Sequence, residues 1–176
     1  MKEFKISDSE GYAYSKESGD KNEIHLNNLT GYNSIFNHKI VYGTLIFLKI
    51  LKKLEFKKLN QYSINIQFIK AFKYNLPIKY SKTKIFQRDF GLAYLNFLKK
   101  DKYLFKDEKL KLIKTFKLKK FISKYKKIRI ILNYLSWYVG MVNPGKYSLI
   151  NSINLVYNSN FFKFKELKIY SKKIPK

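Results

Sequence analysis

Residues 62–74, YSINIQFIKAFKY, are where the hydrophobic period of the chain changes. Tyr62, Ile64, Ile66 and Phe68 alternate with Ser63, Asn65 and Gln67, the two-residue period of a half-buried strand. A second extended piece follows at Asn75–Tyr80, and its Pro77 suits an edge or a turn, not a central strand. Two strands are weak by themselves. The stretch therefore predicts a β-ribbon over about residues 62–80 that needs a partner surface.

On either side the spacing reads as helical. Val41, Leu45, Leu48 and Leu51 form one stripe of a helix over 38–59, with Lys49, Lys52, Lys53 and Lys57 opposite. Phe90, Ala93, Tyr94, Phe97 and Leu98 share a face over 86–100. Asp107 is an N-cap residue for a helix over 107–126 with Leu110, Ile113, Phe116, Phe121 and Tyr125 on its core side. Ile128, Ile131, Leu132, Leu135 and Tyr138 mark a fourth helix over 128–139, closed by Asn143, Pro144 and Gly145. The expected architecture is mainly α: a helical bundle at 31–140 carrying a β-ribbon arm. An acidic, flexible N-terminal extension at 1–30 has turn chemistry at Gly11 and Gly19, and a basic extension covers 141–176. No repeat is visible by eye.

The 176 residues hold 37 cations, of which only Arg88 and Arg129 are arginine, against 12 acids, for a net charge of +25. Residues 1–25 run the other way, with six acids and four lysines. Phe, Ile, Lys, Asn and Tyr dominate, as AT-rich coding favours. That bias explains lysine in place of arginine, but not the scarcity of glutamate, whose codons are also A-rich. Concentrated like charge repels itself unless a partner neutralises it, so the excess points to a polyanion. A hydrophobic share of 45% excludes a charged, disordered tail.

Little catalytic chemistry is legible. The absence of cysteine excludes disulfides and thiolate sites. His25 and His38 read as too few and too isolated for a zinc site or a catalytic pair, and the acids as too scattered for a two-metal site. No phosphate-cradling glycine loop is present. No catalytic residue, metal, cofactor or small-molecule substrate is expected. No apolar run reaches the roughly 18 residues of a membrane span. An enzyme of RNA processing or group transfer would show itself by a pocket holding two or more acids. The lysines interleaved with aromatics are the candidate binding surface: Lys70, Lys73 and Lys79 on the ribbon, then Lys82, Lys84, Arg88, Lys126, Lys127 and Arg129.

Two resemblances sharpen this expectation. Asn37-His38-Lys39, Leu45-Ile46-Phe47, Ile64, Ile66, Tyr74-Asn75-Leu76-Pro77-Ile78, Arg88 and Leu92-Ala93 fall in an order that resembles the family of the seventh protein of the small ribosomal subunit. Lys126-Lys127 and Trp137-Tyr138 echo the end of that family's chain. The composition is similar to that of proteins encoded in AT-rich mitochondrial genomes, such as those of ciliates. The resemblances imply a structural protein of the mitochondrial ribosome in the matrix, bound to rRNA and to neighbouring ribosomal proteins. The rival is an accessory subunit of a respiratory or ATP-synthase complex, its lysines facing acidic lipids.

Overall fold

Helix α3, Gly43–Lys53, has the sequence GTLIFLKILKK. Thr44, Leu45, Ile46, Phe47, Leu48, Ile50 and Leu51 are all buried, and polar side chains gather only at Lys49, Lys52 and Lys53. A helix apolar on nearly every side must be enclosed by other elements. The computed structural model shows how; it describes residues 1–53, 62–99, 111–117, 123–142, 145, 148–156 and 166–171.

The enclosure is an antiparallel sheet of six strands in the order β1-β3-β4-β5-β2-β7. These are β1 (Lys2–Lys5), β2 (Tyr62–Lys70), β3 (Pro77–Tyr80), β4 (Lys84–Phe86), β5 (Leu92–Lys99) and β7 (Ser152–Val156). Strand β2 pairs with β5 on one side and β7 on the other. Its Ile64 and Ile66 are fully buried, as are Ile78, Ile85, Ala93 and Leu95 from its neighbours. Gln67, Tyr94 and Asn96 are exposed on the same strands, so the two-residue period splits the sheet into a core face and a solvent face. Strands β6 (Lys111–Lys117) and β8 (Glu166–Ser171) form a separate antiparallel pair.

Helix α1 (Asp8–Ser18) opens with a capping box in which Ser7 and Glu10 satisfy each other's backbone. Gly19, in the left-handed conformation at φ 80°, ends it. A short 3₁₀ turn at Glu23–His25 and helix α2 (Asn28–Tyr32) follow. Helix α4 (Lys124–Trp137) starts at the Ser123 cap, packs on α1 and α3, and sends Ile128 and Leu132 into the same core. Its last turn widens into a π-helical stretch at Tyr138–Val142.

This corrects the expected helical bundle with a β-ribbon arm. Residues 62–80 are no arm, because β2 and β3 each lie between two other strands. The helix expected over 86–100 is mostly strand β5. Ala93 and Phe97 fit a helical face as well as an alternating one, and the tie is broken by Leu95 between them, buried while Tyr94 and Asn96 point outward. Strand β6 replaces the centre of the helix expected over 107–126, whose flanks at 107–110 and 118–122 lie outside the described residues. The helix expected over 38–59 is found at 43–53, its last part lying outside the described residues; the one over 128–139 is found as α4, which starts earlier, with residues 138–139 in the π-helical stretch. The opening residues, expected to be flexible, carry β1, α1 and α2, and strand β7 of the basic C-terminal extension is built into the sheet.

Phe47 sits at the centre of this core with no exposed surface. Phe47→Ala is expected to lower the free energy of unfolding by about 3–5 kcal/mol, measured by urea titration. A loss below about 1 kcal/mol would mean that α3 is not enclosed as described.

Candidate active site

Between α1 and α3 the chain reads Gly19-Asp20-Lys21-Asn22-Glu23-Ile24-His25, and this segment is held by its own backbone. The Asn22 side chain caps the 3₁₀ turn, accepting from the Ile24 N–H. The main-chain carbonyl of Asp20 accepts from Ser15 Oγ at 2.7 Å and from the Tyr42 hydroxyl at 2.9 Å. Those bonds tie the segment to α1 and to the residue before α3. Asp20 and His25 are thereby turned inward and are only 2% and 8% exposed.

Both line one cavity of about 280 Å³. Its other walls are mostly apolar, among them Val41, Ile46, Phe68, Phe72 and Val139. The Asp20 carboxylate accepts from Ser136 Oγ at 2.7 Å and from the Asn22 N–H at 3.0 Å. It also lies against the backbone of Gly140, where any Cβ would stand 2.8 Å from its Cγ. A side chain there would displace the carboxylate, so the glycine is required by the close approach. His25 Nδ1 donates to the Ile40 carbonyl at 2.8 Å, and its ring stacks on Tyr42 with centroids 3.9 Å apart. That bond fixes the tautomer and leaves Nε2 with its lone pair.

Burial dominates both ionisations. It raises the Asp20 carboxyl above its ordinary value, against the opposing hydrogen bonds from Ser136 and Asn22. Burial pushes the His25 imidazole down to about 4, so at neutral pH the ring is uncharged. Both groups are thus pushed toward their uncharged forms within one cavity, the kind of perturbation that marks a candidate site.

Against the expectation of no catalytic residue, the structure gathers two buried titratable side chains in one cavity. The histidine dismissed as isolated lies in the same cavity as an acid five residues before it. The signal lies in those seven residues: a helix-ending glycine, an acid, a capping asparagine and an imidazole. The predicted lysine surface is not gathered into one place. Lys70 lies at the rim of the same cavity, at the end of β2. Lys73 stands 5.0 Å over the Phe90 ring and Lys84 5.5 Å over Phe86. Lys79, on β3, is opposite Glu3 of β1 in register, and Lys82 and Lys126 are exposed. Arg88 is exposed beside Asp89. Arg129 is paired with Glu17 and Lys127 is only 4% exposed, so neither offers an open cation to solvent.

No family model matches the chain, and no curated protein does. Two solved structures resemble it. One is titled as an (R)-hydratase from A. caviae involved in PHA biosynthesis: 16% identity, 53% of this chain and 89% of that one covered, TM-score 0.40. The other is the R-hydratase PhaJ1 from Pseudomonas aeruginosa: 16% identity, coverage of 56% and 79%, TM-score 0.36. Likeness at this level assigns no activity to this chain. The structural role in a ribosome, bound to rRNA through a helical bundle and a β-ribbon arm, is nevertheless corrected. The helical bundle and the arm that were to bind the RNA are absent: the residues of the arm are an interior part of a six-stranded sheet, and Asp20 and His25 line a cavity inside the fold.

The His25 shift has a sign that stability measurements read. Between its unfolded value of 6.5 and about 4, the unfolded chain binds a proton that the folded chain refuses. Stability is therefore expected to fall as pH drops through that window, by about 3 kcal/mol from this residue. Glu10 and Glu17, both held low by ion pairs with Lys49 and Arg129, add losses at lower pH. In urea titrations at pH 7 and pH 4.5, His25→Gln is expected to narrow the gap between the two midpoints. An unchanged gap would show that His25 is not buried neutral.

Proposed function

We propose that this chain is an enzyme that adds water to, or removes it from, an apolar substrate, using His25 and Asp20 as proton carriers. The observation that carries the reading is an acid and an imidazole in one largely apolar cavity, both driven by burial toward their uncharged forms. Such a pair gives and takes protons without charging the cavity in its resting state.

The reaction that suits it is hydration of a carbon–carbon double bond conjugated to a carbonyl. His25 Nε2 takes a proton from water as the water oxygen bonds to the β-carbon. The π electrons shift to the α-carbon, which takes the proton of the Asp20 carboxyl. Proton return from imidazolium to carboxylate restores the resting state, so one water is added and nothing else is consumed. The Ile40 carbonyl, bonded to Nδ1–H, stabilises the imidazolium while it exists. Ser136 and the Asn22 N–H, bonded to the Asp20 oxygens, stabilise the carboxylate left after proton donation. Phe68, Phe72, Ile46 and Val41 supply the wall for the apolar part of the substrate. The titles of the two matched structures name hydratases, which makes hydration the first reaction to try.

The assay follows loss of the conjugated-enoyl absorbance with 2-enoyl thioesters of increasing chain length. Purified wild-type protein is expected to hydrate them, and Asp20→Asn and His25→Gln each to lower kcat by about 10²- to 10⁴-fold with the fold intact by circular dichroism. Turnover unchanged in both variants, or no turnover by the wild type at any chain length, would overturn the proposal.

A further inference from the structure

The order of elements is repeated within the chain. With α1, the 3₁₀ turn and α2 inserted after its first strand, the first half runs strand β1, helix α3, strand β2 and strand β3, the first and last strands paired antiparallel. Strand β6, helix α4, strand β7 and strand β8 repeat that order, and β6 again pairs antiparallel with β8. The two helices pack on each other, and the strands that follow them, β2 and β7, pair antiparallel.

The register makes the relation sharper. Asn65 faces Asn154, with Ile64 opposite Leu155 and Ile66 opposite Ile153. Residues 63–66 read Ser-Ile-Asn-Ile and residues 152–155 read Ser-Ile-Asn-Leu. Superposing one tetrapeptide on the other exchanges these pairs, which is what a two-fold axis between Asn65 and Asn154 requires. The copies differ in two places: β4 and β5 have no counterpart after β8 among the described residues, and the segment before the helix is much shorter in the second copy. Residues 6–42 separate β1 from α3 and carry Asp20 and His25, whereas only residues 118–123 separate β6 from α4.

We infer that residues 111–171 are a reduced second copy of the first unit, a built-in partner that lacks the site segment and keeps only the strand, helix, strand, strand order. It occupies the edge of β2 where the symmetry would place a second chain, so the protein carries one site per chain. It also completes that site. Ser136 and Gly140 come from α4 and its π-helical end, and Asn22 Nδ2 donates to the Ser148 carbonyl beyond it. Ser136, only 3% exposed, is the positioning residue: its hydroxyl holds Oδ2 of Asp20 and opposes the rise that burial imposes on the carboxyl. This last role rests on the proposed proton chemistry; the duplication does not.

The chain has no cysteine, which makes the test clean. Facing residues of antiparallel strands have Cα atoms about 4.5–5.5 Å apart, inside the disulfide range of about 4.4–6.8 Å. On mild oxidation, Asn65→Cys/Asn154→Cys is expected to close a disulfide within one chain, and Asn65→Cys alone to stay monomeric on a non-reducing gel. Covalent dimers from Asn65→Cys alone, or no closure in the double variant, would overturn the built-in partner. For Ser136, carboxyl ¹³C NMR of full-length labelled protein follows the Asp20 titration. Ser136→Ala is expected to raise the midpoint further and Ser136→Thr, which keeps the hydroxyl, to restore it. A midpoint unmoved by Ser136→Ala overturns the positioning role, whether or not any thioester is hydrated.

Discussion

An eleven-residue helix buried on nearly every side is the constraint from which the rest follows. Leu45, Ile46, Phe47, Leu48, Ile50 and Leu51 leave α3 only a narrow solvent edge at Lys49, Lys52 and Lys53, so most of its circumference must be covered. A sheet whose buried face shares its core and a second helix against it are the economical enclosure, and both are present in β1–β5 with β7, and in α4. The few polar groups near the helix are answered locally. Tyr14 donates to Thr44 Oγ1 at 2.9 Å, and Lys49 reaches back to Glu10 of α1. Those two bonds fix α1 against α3 and so fix where the segment after Gly19 begins.

That placement creates the site. Two titratable groups inside an apolar wall are costly unless they are neutral or well bonded. Asp20 is bonded through both carboxylate oxygens, and His25 through Nδ1. Glu17, by contrast, is met by Arg129 and Asn133 at the edge of the same helix, and its carboxyl is held below the ordinary value. Two acids three residues apart are thus pushed in opposite directions. The one facing the arginine is structural, tying α1 to α4; the one facing the cavity is the one the proposed reaction uses.

The strand at 62–70 was legible because Tyr62 to Phe68 alternate without interruption, and the α4 segment because its apolar residues keep helical spacing. Residues 92–99 were misread because Ala93 and Phe97 satisfy both periods, and only the packing of Leu95 decides between them. The role of residues 62–80 was misread for a different reason: alternation identifies a strand but not how many neighbours it has, and β7 lies far away in sequence. Asp20 and His25 were overlooked because counts of histidines and spacings of acids carry no burial. The lysine excess drew attention to the surface, whereas the structure pairs Arg129, buries Lys127 and sets Lys73 and Lys84 over aromatic rings.

The central claim is that His25 is held neutral, with a fixed tautomer, beside an acid in an apolar cavity. Imidazole ¹⁵N NMR of His25 between pH 8 and pH 4 tests it most directly. The account requires a neutral ring protonated at Nδ1 through neutral pH, charging only as the pH approaches about 4. A midpoint near the ordinary 6.5, or a proton on Nε2 with Nδ1 bare, would place the ring in water or in another orientation and would contradict the site.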